Sequence, residues 1–199
     1  EDAQNPLILN EKVDFDTTII RPDGLTSDKI VYNYTELENL FGKDIVNLLK
    51  KDSSFSSRIS QLINNKLELI GMGDYTLILS HFKGSAFSLE LKFKDQIMPF
   101  NSVGAGTRSL ISIFAHLSGF EQLTLSKKIK SSLSVYDILI IREPENFVHP
   151  SLVGKLITFL VDFGKKYESN GSVKILIETH SEIILRKIQV LIKDNNIKK

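Results

Sequence analysis

Four consecutive aliphatic residues, Ile138-Leu139-Ile140-Ile141, form the longest unbroken apolar run in the chain. A membrane-spanning helix takes about 20 such residues, so a span of that kind is excluded. Four is the length of a short strand buried on both faces, as in parallel sheets. The residues beyond this run constrain the architecture further. Pro150 opens a helical segment reaching about Gly164, and Val173 to Ile177 reads as a second buried strand. Ser181 is placed to cap a last helix carrying Ile184, Leu185, Ile188, Leu191 and Ile192. The order strand, helix, strand, helix predicts a right-handed crossover and a parallel α/β core.

Upstream the periodicity is different. Thr35-Glu36-Leu37-Glu38 fits a capping box, and Leu37, Leu40, Phe41 and Leu48 keep helical spacing behind it. A second helix is expected from about Ser54 to Leu67, with Phe55, Ile59, Leu62 and Ile63 on one face. The period then becomes two: Tyr75, Leu77 and Leu79 on one strand, Phe87, Leu89, Leu91 and Phe93 on the next, with Lys83-Gly84 as the turn. That pattern predicts an antiparallel hairpin. Ser102-Val103-Gly104-Ala105-Gly106 is a glycine-containing turn opening a helix with Leu110, Ile113, Phe114 and Leu117 on one stripe and Gly119 as its terminator. A Ser/Lys-rich linker, residues 126–134, leads into the first apolar strand.

With 42% hydrophobic and 25% charged residues in 199, the chain can bury a sizeable core and is unlike a disordered one. Its first residues are acidic and polar, with no apolar stretch behind them, so no signal peptide is visible. The absence of cysteine removes disulfides, thiolate zinc sites and cysteine nucleophiles together. The net charge of +1 divides unevenly, acidic over residues 1–100 and basic over 101–199. Much of the basic surplus is lysine at helix ends and in the Lys198-Lys199 tail, which reads as solvated surface. The chain opens on Glu1 rather than Met, and we expect it to be a piece of something larger.

Ligands in open α/β sheets sit beyond the carboxyl ends of the strands. Here the first strand runs into Arg142-Glu143-Pro144-Glu145-Asn146, then Phe147-Val148-His149-Pro150, and the second into Glu178-Thr179-His180-Ser181. A carboxylate that polarises water and an imidazole that orients it or binds phosphate suit hydrolysis. On the residues alone, Glu145 and Asn146 set the turn before Pro150, and His149 orders that loop. His81 and His116 read as surface groups, and the lysines at 127, 128 and 130 as a solvated linker able to touch nucleic acid.

The segment from Ile138 to Pro150 resembles the Walker B and D-loop region of ABC-class ATPases of the RecF/SMC/OLD type. Glu178-Thr179-His180-Ser181 looks like their switch-histidine segment, and Ser102 to Leu110 is similar to their signature loop and following helix. The three elements occur in the family's order, over about residues 60–199. The resemblance implies an ABC-type P-loop NTPase fold of which this chain is the C-terminal lobe, residues 56–199, behind an accessory segment, residues 1–55. It implies ATP and Mg²⁺ as cofactors, Glu143 as the group polarising the attacking water, and His180 as the sensor of the γ-phosphate. Ser102, Gly104, Gly106 and Arg108 would contact the nucleotide of a second head. The resemblance further implies a cytoplasmic dimer acting with a nuclease or other effector subunit or on DNA or RNA, in DNA repair or anti-phage defence.

Three departures qualify that picture. Arg142 stands where the family has the acid that holds Mg²⁺, and a guanidinium repels a cation. Gly104 stands where many relatives have serine. None of the eleven glycines begins a G-x-x-x-x-G-K-[ST] loop, the device that cradles the β- and γ-phosphates. A degenerate ATPase-like module used for dimerisation or effector docking is therefore the rival expectation. A nuclease is disfavoured, because metal-binding acids beyond Glu143 and Glu145 are not evident.

Overall fold

A computed structural model describes residues 7–9, 31–52, 54–81, 86–128, 137–168 and 173–194. The chain divides into two compact units, residues 1–12 with 131–199 and residues 13–130. The Lys83-Gly84 turn, most of the 126–134 linker and the Lys198-Lys199 tail lie outside the described residues.

In the second unit the order is β2 (Val31–Tyr32), α1 (Tyr34–Phe41), α2 (Lys43–Lys51), α3 (Phe55–Leu69), β3 (Tyr75–His81), β4 (Phe87–Phe93), β5 (Gln96–Pro99), a 3-10 turn (Phe100–Ser102) and α4 (Ala105–Lys128). β3 and β4 pair antiparallel along their whole length, from Tyr75 opposite Phe93 to His81 opposite Phe87, as the alternation predicts. Leu89 and Leu91 are buried beside Leu77 and Leu79. β2 and β5 complete the sheet on the other edge of β4. Helix α3 buries Phe55, Ile59, Ile63 and Leu67 at four-residue spacing. Its polar groups cover the free edge of β3: Asn64 exchanges hydrogen bonds with the Leu77 backbone at 2.7 and 3.0 Å, and Ser60 Oγ accepts the Leu79 N–H at 3.0 Å. An edge bonded in this way cannot recruit a stray strand.

The helix starts differ from expectation in instructive ways. The capping box lies two residues earlier, with Asn33 Oδ1 accepting the Glu36 N–H and Glu36 Oε2 accepting the Asn33 N–H. Thr35 is inside α1. Gly42, at φ +82°, then breaks what spacing alone reads as one helix into α1 and α2. Gly119 does not terminate α4, which continues to Lys128. This helix is buried on several sides, with Leu110, Ile111, Ile113, Phe114, Ala115, Leu117 and Phe120 all enclosed, so packing outweighs the local cost of a mid-helix glycine. His116 is half-buried against Gly42 rather than on an open surface. Lys66 of α3 and Glu121 of α4 form a buried ion pair at 2.6 Å.

The first unit is α/β with a parallel sheet, as the order of elements predicts. β6 (Asp137–Arg142) lies between β1 (Leu7–Leu9) and β7 (Val173–Glu178), both parallel to it. α5 (Pro150–Glu168) connects β6 to β7, and α6 (Glu182–Lys193) comes after β7. α5 continues past Gly164, burying Val153, Leu156, Ile157, Leu160, Phe163 and Tyr167. Leu139 and Ile141 of β6 are buried as expected. β7 is less enclosed than its sequence suggests, with Leu176 58% exposed, because among the described residues it pairs only with β6. On α6, only Ile184 and Leu191 of the five expected apolar residues are buried, and Leu185 is exposed.

Candidate functional site

The parallel register brings the two strand-following segments together. Arg142 and Glu178 are partners at the last rung of the β6–β7 ladder, and the Glu143 N–H donates to the Glu178 carbonyl at 2.7 Å, carrying the pairing one residue further. Glu143 leaves the strand at φ +45°, a left-handed conformation that costs a non-glycine residue of order 1 kcal/mol. Phe147, at φ +63°, makes a second such bend and exposes its ring. The turn between them is closed by the Asn146 N–H to the Glu143 carbonyl at 2.9 Å and the Val148 N–H to the Glu145 carbonyl at 3.0 Å.

The side chains then lock this turn to the segment after β7. Asn146 Nδ2 donates to Glu143 Oε2. Glu145 Oε1 accepts the Thr179 hydroxyl at 2.6 Å and the His180 N–H at 3.3 Å, while Thr179 Oγ1 accepts the Ser181 N–H at 3.0 Å. The second carboxylate oxygen of Glu145 is buried without a partner among the described residues. Glu143 is half-buried and His180 is exposed, so a carboxylate and an imidazole stand on one sheet edge, as expected. Glu145 departs from expectation. Beyond setting a turn, it clamps the backbone at His180 to the post-β6 loop. Nothing in the local sequence signals that, because the partner lies 34 residues away.

His149 caps α5: its ring Nδ1 accepts the Ser151 N–H at 3.3 Å and lies 2.8 Å from Ser151 Oγ, and its carbonyl accepts the Leu152 N–H. With Nδ1 accepting, the ring proton of neutral His149 sits on Nε2.

The other expected contacts lie in the second unit. Ser102 ends the 3-10 turn and is exposed, with its hydroxyl 3.4 Å from Asn101 Oδ1. Gly104 is exposed, and a Cβ built there meets nothing within 4 Å. Gly106 lies inside the first turn of α4, and neither glycine takes a positive φ. The glycines therefore do not serve an unusual bend; they leave the helix N-terminus open, with no acidic residue in its first turn. The Arg108 N–H donates to the Gly104 carbonyl at 3.2 Å. Tyr32 is buried beside this turn; burial raises its hydroxyl pKa, reinforced by Glu36 and opposed by Arg108 and the Asn101 backbone.

A family model described as the AAA ATPase domain matches residues 13–185. The chain belongs to this ATPase family. Solved structures to which the chain is similar include an SMC head bound to the C-terminal winged-helix domain of ScpA, at 13% identity and a TM-score of 0.44 over 78% of this chain and 44% of that one. A structure described for ATP-driven dimerisation and DNA-stimulated activation of SMC ATPases is 10% identical, with a TM-score of 0.46 over 72% of this chain and 77% of that one. The SMC head domain from Thermotoga maritima is 10% identical, with a TM-score of 0.40 over 71% of this chain and 44% of that one. The chain thus spans less than half the length of the first and third of these. No curated protein matches the chain.

Membership in this family implies ATP, accompanied by Mg²⁺. The residues at the β6–β7 edge do not suit that cation. The first position after the apolar run is Arg142, whose Nε holds Glu178 Oε2 at 3.0 Å. Glu143 and Glu145 are engaged by Asn146 and by Thr179 with His180. Among the described residues no three acidic or histidine side chains gather as a metal site. No helix among them is long and apolar enough to cross a membrane.

Proposed function

We propose that this chain is the C-terminal portion of an ATP-binding ATPase head, completed by a phosphate-binding loop outside these 199 residues. The head closes with a second one around nucleotide and drives a cytoplasmic complex acting on nucleic acid or on an effector such as a nuclease, in DNA repair or anti-phage defence. The observation that carries this reading is the pinned pair of segments after β6 and β7, which puts Glu143 and His180 on one edge of a parallel sheet. Glu143, held by Asn146 and bent out of the strand by its positive φ, polarises the attacking water. His180, its backbone fixed by Glu145, turns an exposed imidazole toward the γ-phosphate. The open N-terminus of α4, with Ser102, Gly104, Gly106 and Arg108, supplies N–H groups and positive charge to the phosphates of the opposite head's nucleotide. ATP turnover by the intact protein, compared with Glu143→Gln, tests the assignment. Loss of at least about tenfold is expected, and unchanged turnover removes Glu143 from the mechanism.

The Arg142–Glu178 pair favours a second reading, a catalytically degenerate head kept for dimerisation or effector docking. The two differ in one measurement: such a module shows no micromolar affinity for ATP.

A further inference from the structure

A carboxylate only accepts hydrogen bonds, so the amide nitrogen of Asn146, and not its oxygen, is the end that faces Glu143 Oε2. The backbone dictates this contact. The Asn146 N–H closes the turn on the Glu143 carbonyl at 2.9 Å, and the left-handed residues Glu143 and Phe147 bracket the turn. The side chains of Glu143 and Asn146 thus start from one tight turn and are tied to each other, while Glu145 between them is engaged by Thr179 and the His180 N–H. The tie leaves two acceptors over. Among the described residues, neither Glu143 Oε1 nor Asn146 Oδ1 has a hydrogen-bond partner. Glu143 is half-buried and Asn146 exposed, so solvent reaches both.

We infer that Asn146 is a second water-orienting group of the site: Glu143 Oε1 takes one hydrogen of the attacking water and Asn146 Oδ1 takes the other. This rests on the ATP-hydrolysing reading above. A water held by a single hydrogen bond still turns about it, whereas a second acceptor fixes its plane and so the direction of its lone pair. In the step itself the water oxygen bonds to the γ-phosphorus while the bond from that phosphorus to the bridging oxygen breaks, its electron pair leaving with ADP. The proton on Glu143 Oε1 passes to that carboxylate and then to solvent, and the hydrogen on Asn146 Oδ1 stays with the new phosphate. Nδ2 does the positioning, because it pins Oε2 and so holds the free oxygen of Glu143 beside that of Asn146. An aspartate at this position would accept but not donate, and would set a second negative charge against Glu143.

The test is steady-state ATP turnover by the intact protein, in its natural form and as Glu143→Gln, Asn146→Ala and Asn146→Asp. Thermal melts establish that each is folded. Asn146→Ala is expected to lower kcat at least about tenfold while KM stays within about threefold, because orienting the water matters in the transition state and not for holding nucleotide. Asn146→Asp is expected to lose as much, since it cannot donate to Glu143. A smaller fall in kcat for either variant overturns the inference. A rise in KM that matches the fall in kcat overturns it too, because Asn146 then shapes the loop for binding rather than orienting the water. If Asn146→Ala does not fold, the near-isosteric Asn146→Asp decides the matter by the same thresholds. Turnover that Glu143→Gln loses and Asn146→Ala keeps overturns this inference alone. Turnover that Glu143→Gln keeps, or no turnover by the natural chain, overturns the ATP-hydrolysing reading of the site and this inference with it.

Discussion

Thr179 donates its hydroxyl hydrogen to Glu145 at 2.6 Å, joining the loop after one parallel strand to the segment after its neighbour. The acceptor oxygen also takes the His180 N–H, whereas the other oxygen of the same carboxylate is buried without a partner among the described residues. The two oxygens of Glu145 therefore predict different outcomes for two conservative substitutions. Thr179→Val removes the hydroxyl from a partly buried acceptor and should cost about 1–3 kcal/mol in urea unfolding. Glu145→Gln keeps one accepting oxygen, and its amide nitrogen can take the unpartnered position without leaving a buried charge, so its cost should be smaller. A larger loss for Glu145→Gln than for Thr179→Val would contradict this picture of the clamp.

The site was partly legible in the sequence because a strand of four aliphatics followed by acids is a local pattern, and so is Thr-His-Ser before an amphipathic helix. The same locality explains what was missed. Asn33 and Glu36 satisfy the capping pattern as well as Thr35 and Glu38 do, and only the fold decides between them. Gly119 looks like a terminator until the burial around it is known. Val173 to Ile177 reads as doubly buried because apolar runs usually are, but burial depends on neighbouring strands that a run of residues does not specify. β5 has four residues, too few to show a period. Glu145 acts through a residue far along the chain, which no window of sequence reports.

Gly42 is predicted to tolerate no side chain. Its backbone lies at φ +82° and ψ 158°, a region nearly confined to glycine, and a Cβ there would stand 2.5 Å from His116 Cε1. Gly42→Ala should cost at least about 2 kcal/mol, combining backbone strain with the clash. Adding His116→Ala should recover the clash and leave the strain. Equal stability of the single and double variants in a double-mutant cycle would show that the ring gives way freely.

The Lys66–Glu121 pair carries a prediction about order of severity. Both side chains are nearly enclosed, at 7% and 11% exposure, with the ammonium also 3.5 Å from the Leu62 carbonyl. Lys66→Met alone leaves a buried carboxylate without its cation and should cost about 3–5 kcal/mol. Lys66→Met with Glu121→Leu removes both charges and refills the space, so it should be more stable than the single variant. Denaturant midpoints of the natural protein and the two variants check this, and a double variant weaker than the single would show that Glu121 is stabilising even without Lys66.

His116 should make the stability of the chain depend on pH on the acid side of neutrality. Burial lowers its pKa from 6.5 to about 4, because the enclosed ring is costly to charge. The unfolded chain takes up a proton below about pH 6.5 that the native protein refuses until about pH 4. The stabilisation is thus complete above pH 6.5, declines as pH falls through that window, and levels off below about 4. The decline amounts to about 3 kcal/mol at most, because each tenfold difference in proton affinity between the two states is worth about 1.4 kcal/mol. His116→Gln, which cannot titrate, should flatten this part of the profile in urea midpoints taken at intervals from about pH 7 to about pH 4. An unchanged slope in that variant would assign the acid sensitivity to other groups.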